Sequence, residues 1–501
     1  MNSSAIFLTV PQRAWKRPWS TPLRACTPTL VLQGITHARD IPPPLRRPGR
    51  RQCRERRRRY VRRPRLRPRR ASFRGAHRVP AGQAPQLPVH PRRRPRLGRP
   101  VLVRRPAHQD PAPRPARRAG CAVHPGLRGV GDLLPTRFSL YTGRYPGRTE
   151  GGLAEPIGDR AQGLDPNHPT LASLLKRAGY ATALIGKWHC GWLPDHSPTK
   201  SGWDEFFGNF GGALEYFSKL GQLGDYDLYE GDATYKDLRY YTTVLTERAV
   251  EYVGRDHDRP WLLNLNFTTP HWPWLTEDDE ETGAAIADEV RSGNVLGALL
   301  HNDGGSVEKY REMVENLDAS VGKVLAALRR AGQEENTVVV FASDNGGERF
   351  SYQWPLSGGK SELLEGGIRV PTVLRWPARV DGRQVSHEPL YSPDWTATLL
   401  ELGGARPDPA YPLDGHSLAG YLLRGRELPE RDLFWRVRGN RALRRGDWKY
   451  YRDAQGRDHL YDLSADAREQ ADLAADRPEL LAELKAAWER IDHELLPYPT
   501  A

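Results

Sequence analysis

The chain predicts an α/β fold, a doubly wound sheet followed by a smaller C-terminal α+β subdomain, and three observations carry that prediction. From Pro135 onward, segments of helical period alternate with short apolar runs, the pattern of strands joined by crossover helices. Thr337-Val338-Val339-Val340-Phe341 is uninterrupted apolar text, as expected of a parallel central strand covered on both faces. After about residue 405 the text changes to short pieces that read as antiparallel strands. These shifts divide the chain into 1–134, 135–404 and 405–501.

The elements follow in order. Thr170 to Arg177 places Leu171, Leu174 and Leu175 on one helical face, and Gly179 suits the C-terminal cap. Ala181 to Ile185 is a short buried strand. Trp261 to Phe267 is another, entering a Pro-His turn. Ser306 to Ala331 is a long amphipathic helix, with Val307, Tyr310, Val314, Leu317, Val321, Val324 and Leu328 at helical spacing. It leads into the Thr337–Phe341 strand. Trp448–Tyr451 and His459–Leu463 read as antiparallel strands, and a helix covers about Pro478 to Leu495.

Residues 1–134 are a different text. They hold 33 basic residues, only Lys16 being lysine, against four acids, a net of +29; the remainder has 42 against 57, a net of −15. The same segment carries 21 of the 43 prolines and shows no periodicity. One reading is a basic, disordered arm for a polyanion, with no specific nucleic acid implied. The other is translation out of frame from GC-rich DNA, in which GNC codons read one base early become arginine. Shifted by one base, the codons for Pro85 to Arg99 can spell Pro-Asn-Phe-Leu-Phe-Ile-Leu-Ala-Asp-Asp-Leu-Gly-Trp-Ala-Asp. Val130 to Leu134 can spell Ser-Ala-Thr-Cys-Ser. The permitted text is a buried strand ending in paired carboxylates. On either reading residues 1–84 are expected to be disordered, and the sheet edge beside Thr337–Phe341 to lack a strand and promote aggregation.

No run of about 18 apolar residues exists, so a membrane-spanning helix is not expected. Met1 to Val10 has no basic residue before its apolar stretch, poor for a secretory signal, which favours the cytoplasm. Four cysteines, Cys26, Cys53, Cys121 and Cys190, are too scattered for a zinc ribbon and too few for a disulfide scaffold.

Candidate chemistry gathers at strand ends. Asp344-Asn345-Gly346-Gly347 follows the strongest strand and offers hard oxygen ligands for Ca²⁺ or Mg²⁺, or an ordinary Asx turn. Gly186-Lys187-Trp188-His189 follows another strand; Lys187 can hold an anion and His189 can move a proton. His271 lies between Pro270 and Pro273. Lys360 follows Gly358-Gly359, ahead of Glu365-Gly366-Gly367-Ile368-Arg369-Val370-Pro371. Together these describe a pocket for an ester of a polyanion, with ligands at the carboxyl ends of strands.

Leu133-Leu134-Pro135-Thr136-Arg137, then Leu140-Tyr141-Thr142-Gly143-Arg144-Tyr145-Pro146, resembles the sulfatase signature Cys-x-Pro-x-Arg followed by Leu-x-Thr-Gly-Arg. Gly179-Tyr180, Thr182 and Gly186-Lys187-Trp188-His189 resemble the second signature of that family. The resemblance spans about residues 135 to 475. It implies an alkaline-phosphatase-like α/β/α sandwich that hydrolyses sulfate monoesters, with one Ca²⁺ and a formylglycine made from the signature cysteine by a formylglycine-generating enzyme. The cysteine position is Leu133, which cannot be so modified. Arg137 matches the arginine that stabilises the hydrated aldehyde, and Lys187 a group that binds aldehyde or sulfate. His189 matches the residue that drives breakdown of the sulfated intermediate. His271 and Lys360 match groups that bind sulfate and protonate the leaving alcohol. Asp344 and Asn345 match two metal ligands, and the other two acids align with Arg93 and Arg94. The resemblance therefore implies an inactive copy. A phosphomonoester or phosphonate hydrolase of the same superfamily, or a non-enzymatic polyanion-binding relative, are the alternatives. Aryl and sugar sulfates both fit; Trp203, Phe206, Phe207, Tyr216, Phe217 and Tyr226 could stack on a ring or belong to the core.

Overall fold

The computed structural model of the chain describes residues 4–9, 121–127, 133–157 and 159–499. Ten strands form the main sheet. In chain order they are β1 Ser4–Thr9, β2 Cys121–Leu127, β3 Ala181–Gly186, β4 Glu205–Gly208, β5 Tyr229–Glu230, β6 Ala233–Thr234, β7 Trp261–Phe267, β8 Val338–Ser343, β9 Arg369–Arg375 and β10 Leu390–Tyr391. Across the sheet the order is β10-β2-β9-β8-β1-β7-β3-β4-β5-β6.

Period-2 alternation builds a core on each face. In β7, Trp261, Leu263, Leu265 and Phe267 join one apolar cluster, with the helices Tyr241–Gly254 and Val307–Arg330. Leu262 joins the opposite cluster, with the helices Leu133–Thr142, Leu171–Arg177 and Ser392–Gly403. The result is the α/β/α sandwich expected from the resemblance.

Several local expectations hold. Thr170 caps the helix Leu171–Arg177 by accepting the Ser173 N–H, and Gly179 adopts φ +90° just beyond it. Ser306 caps Val307–Arg330 through the Lys309 N–H. Along that helix Tyr310, Leu317, Val321, Val324 and Leu328 are buried, whereas Val307, in the first turn, is exposed.

Three expectations are corrected. The sheet is mixed, not parallel: β3 runs parallel to β7 and β4, but β8 pairs antiparallel with both neighbours. An apolar run reports burial on both faces, which either pairing direction satisfies. Second, the edge beside β8 is not uncovered. β1 fills the slot between β7 and β8, antiparallel to both, with Ser4 opposite Phe267 and Ser343. Its apolar residues Phe7 and Leu8 bury to opposite faces. Third, disorder does not extend over all of 1–84, since residues 4–9 are this strand. Cys121–Leu127 is likewise a strand, paired with β9 and β10. The expectation of disorder for 10–84 lies outside the described residues. Among the described residues, no helix is long and apolar enough to cross a membrane.

Strands β11 Asp432–Val437, β12 Asn440–Arg445, β13 Trp448–Arg452 and β14 Asp458–Asp462 form an antiparallel sheet. The helix Pro478–His493 covers it: Trp488 stacks on Phe434 and donates Nε1–H to the Trp435 carbonyl at 2.9 Å.

Candidate active site

Chain geometry at three strand ends brings the predicted residues together. After β3 the chain must turn where the Asn266 carbonyl lies close: a Cβ on Gly186 would sit 2.0 Å from that oxygen, and φ is +104°. Only glycine fits. The turn lets Lys187 N–H donate to the Asn266 carbonyl at 3.0 Å. His189 follows at φ +56°, a left-handed conformation held by its N–H donating to the Phe210 carbonyl. Its ring abuts Gly212, where a Cβ would come within 2.6 Å of the imidazole.

Arg137 reaches in from the helix Leu133–Thr142. It donates Nη1–H to the Lys187 carbonyl at 2.9 Å and Nη2–H to Asp344 Oδ2 at 3.2 Å. Leu133 opens the same helix, one turn earlier. Asp344 and Asn345 follow β8. Asn345 donates Nδ2–H to the Gly346 carbonyl at 2.6 Å, which fixes the amide and leaves Oδ1 directed elsewhere. Gly346 N–H donates to the Gly367 carbonyl, and Lys360 N–H to the Gly347 carbonyl. His271 follows β7. Its Nδ1 faces the Trp272 carbonyl at 2.9 Å, so Nδ1 carries the proton and Nε2 presents a lone pair to Lys360 Nζ at 3.4 Å. Lys360 Nζ also pairs with Glu348 Oε2 at 3.1 Å.

The electrostatics are those of buried nitrogens and oxygens left without partners. Lys187 is fully buried and its Nζ has no hydrogen-bond partner. Burial first, then the Arg137 charge, brings its pKa down to about 7. His189 and His271 are held well below the ordinary histidine value by burial, then by Lys187 and Lys360 respectively, so both rings are neutral. Both nitrogens of His189 are unpartnered, as are Arg137 Nε, Asp344 Oδ1 and Asn345 Oδ1. Buried polar atoms left in this state are expensive unless a ligand meets them. The two oxygens suit a hard cation, but a Ca²⁺ site needs six to eight oxygens in general. Among the described residues no group of three or more His, Cys, Asp or Glu side chains gathers to hold a metal. Arg93 and Arg94, which the resemblance sets against the remaining acids, lie outside the described residues.

A family model described as Sulfatase matches residues 134–405 of the chain. The chain belongs to the sulfatase family. Mouse arylsulfatase J is 29% identical over 317 residues, 60% of this chain and 50% of that protein. Mouse N-acetylgalactosamine-6-sulfatase is 29% identical over 338 residues, 62% and 58%. The chain thus spans about half the length of these relatives. The crystal structure of Ps i-CgsB in complex with k-i-k-neocarrahexaose superposes with a TM-score of 0.66 at 26% identity, covering 77% of this chain and 87% of that one. The phosphonate monoester hydrolase of Agrobacterium radiobacter, at 20% identity and a TM-score of 0.51, shares the fold alone.

This sulfatase pocket has supports that sequence reasoning missed. Asn266 Nδ2–H donates to the Lys187 carbonyl and to Tyr141 Oη, each at 3.0 Å, and Tyr141 donates to Asn264 Oδ1 at 3.1 Å. The signal was present: Asn264 and Asn266 alternate with Leu263, Leu265 and Phe267, so both fall on one face of β7. A second support is an ion cluster. Lys449, fully buried, pairs with Glu365 Oε1 at 3.1 Å and Glu469 Oε1 at 2.7 Å, while Arg444 approaches Glu365 Oε2 at 3.4 Å. It clamps the segment that holds Gly346 to the C-terminal sheet. The aromatics suggested for ring stacking are core: Trp203, Phe206, Phe207, Tyr216 and Phe217 are buried, and Tyr226 donates to the Tyr235 carbonyl.

Proposed function

We propose that this fold is built to hydrolyse sulfate monoesters and that this copy retains the anion-binding half of the machinery without the nucleophile. The observation that carries the reading is one pocket holding Arg137, Lys187, His189, His271 and Lys360, with Lys187 Nζ and both His189 nitrogens buried and unpartnered. A sulfate ester is a weakly basic anion, so fixed cations and N–H donors stabilise charge growing on its oxygens. Lys187 and Lys360 bind sulfate oxygens. His271 and Lys360 stand together, with His271 Nε2 facing Lys360 Nζ at 3.4 Å, so a proton on Lys360 Nζ is placed for the departing alcohol oxygen. Arg137 anchors the Lys187 peptide and orients Asp344. His189, with both ring nitrogens buried and unpartnered, is suited to proton transfer during release of sulfate.

Asp344 Oδ1 and Asn345 Oδ1 are the atoms that would hold Ca²⁺ in an intact relative, where the cation would polarise sulfate oxygens. Alone they do not complete a Ca²⁺ site. Leu133 supplies no oxidisable sulfur, hence no substrate for a formylglycine-generating enzyme. A one-base frame change near codon 134 accounts for Leu133, Arg93 and Arg94 at once. The names of the relatives, an N-acetylgalactosamine-6-sulfatase and a protein solved with neocarrahexaose, support sugar sulfates as substrates. The test is turnover of 4-nitrophenyl sulfate by the purified chain. No rate above a His271→Ala control is expected, together with measurable binding of inorganic sulfate. Turnover above that control, or no sulfate binding, would overturn the reading.

A further inference from the structure

Among the described residues, the large aromatic side chains most open to solvent are Tyr352, 58% exposed, and Trp354, 65% exposed. Both stand on the loop 348–357, between the Asp344–Asn345 turn and Lys360. The loop is anchored. Arg349 donates to the carbonyls of Asn302 and Leu300 at 2.7 Å each, with its guanidinium 4.1 Å over the Trp274 ring. Phe350 packs edge-on to Trp274 at 5.1 Å. Gln353, between the two exposed rings, donates Nε2–H to the Gly347 carbonyl at 2.6 Å. That same carbonyl accepts the Lys360 N–H at 3.0 Å. Tyr352 and Trp354 therefore flank a residue that shares one oxygen atom with the backbone of a pocket cation.

We propose that Tyr352 and Trp354 form a platform for the pyranose ring of a sulfated sugar whose sulfate enters the pocket of Lys187, His271 and Lys360. The assignment rests on the sulfate-ester reading above and adds the residues that choose the substrate class. The two exposed rings stand on one anchored loop, linked through Gln353 and the Gly347 carbonyl to the backbone of Lys360, and this is the surface offered to the sugar. Its openness selects the ring. A pyranose has an apolar C–H face and hydroxyl edges that remain hydrated, so a half-wet platform suits it. An aryl group gains most from an enclosed apolar slot, and the candidate slot-lining aromatics of this chain are committed to its core.

The experiment is calorimetric titration of the full chain with three probes: inorganic sulfate, galactose 6-sulfate and 4-nitrophenyl sulfate. Trp354→Ala and Tyr352→Ala should each weaken galactose 6-sulfate about three- to ten-fold, the range of one aromatic contact. Inorganic sulfate, which is too small to reach the rings, should be unaffected, and Trp354→Phe should recover most of the sugar affinity. Unchanged sugar binding in both alanine variants overturns the platform while leaving the pocket standing. Equal losses for sugar and inorganic sulfate overturn it too, as does a larger loss for the aryl ester than for the sugar. If the unaltered chain binds none of the three probes, the pocket and the platform fall together.

Discussion

Replacing Lys187 by methionine should stabilise the fold while removing anion binding. Its ammonium is buried without a hydrogen-bond partner, and its pKa falls from the ordinary 10.5 to about 7. At about 1.4 kcal/mol per tenfold change, charging Lys187 in the folded protein costs on the order of 5 kcal/mol more than in the unfolded chain. Relaxation of the surroundings reduces what is measured, so a gain of about 2 to 5 kcal/mol at pH 6 is expected for Lys187→Met. The sign follows from proton counting. The unfolded chain keeps the proton up to 10.5 and the folded chain loses it near 7. Between those values the unfolded state binds more protons, and wild-type stability rises with pH. The advantage of methionine is therefore full below pH 7 and shrinks steadily towards pH 10. Denaturant midpoints at pH 6.0 and 9.5 measure it. Inorganic sulfate should raise the midpoint of the wild type and leave the variant unmoved. A variant less stable than wild type by the same margin at both pH values would refute the argument that Lys187 is held for a ligand.

Lys449→Met should cost about 3 to 5 kcal/mol, because Glu365 and Glu469 would be left buried against each other; a melting temperature within a degree of wild type would contradict this. Leu8→Ala, in the centre of the main sheet and fully buried, should cost about 2 to 5 kcal/mol, and an unchanged midpoint would remove β1 from the sheet. Genomic resequencing should find a one-base change near codon 134 that restores Cys-Ser-Pro-Thr-Arg and Asp-Asp together; confirmed DNA with a native peptide spanning Arg56 to Arg59 would sink the frame explanation. In a frame-restored enzyme matured by a formylglycine-generating enzyme, Lys360→Ala should lower kcat about a hundred- to a thousand-fold, measured on 4-nitrophenyl sulfate.

Much of the pocket was legible because its residues sit at the ends of strands whose periodicity is local. Lys187, His189, His271, Asp344 and Lys360 each follow an apolar run or a glycine turn, and short-range sterics place such residues at a sheet's rim whatever the rest of the chain does. Helix limits were legible for the same reason, through the Thr170 and Ser306 caps. The strand at residues 4–9 was not. Ala5, Ile6, Phe7 and Leu8 favour burial, but nothing within them names β7 and β8 as partners or sets an antiparallel direction. The mixed pairing of β8 was hidden likewise, since a run apolar on both faces is silent on the direction of its neighbours.

By itself, then, the sequence determined what local physics controls: helix faces and caps, the apolar strands, the glycine at position 186, and the residue types gathered at strand ends. Tertiary structure alone decided which charges meet. Arg137 lies 207 residues from Asp344, and Lys449 lies 84 from Glu365. The burial that pulls Lys187 down to about 7 and keeps both histidines neutral comes from three strand ends closing over one point. The reason is one of range. Backbone preferences act over a few residues, whereas the desolvation of an ion depends on everything packed around it, and that packing exists only once distant segments have met.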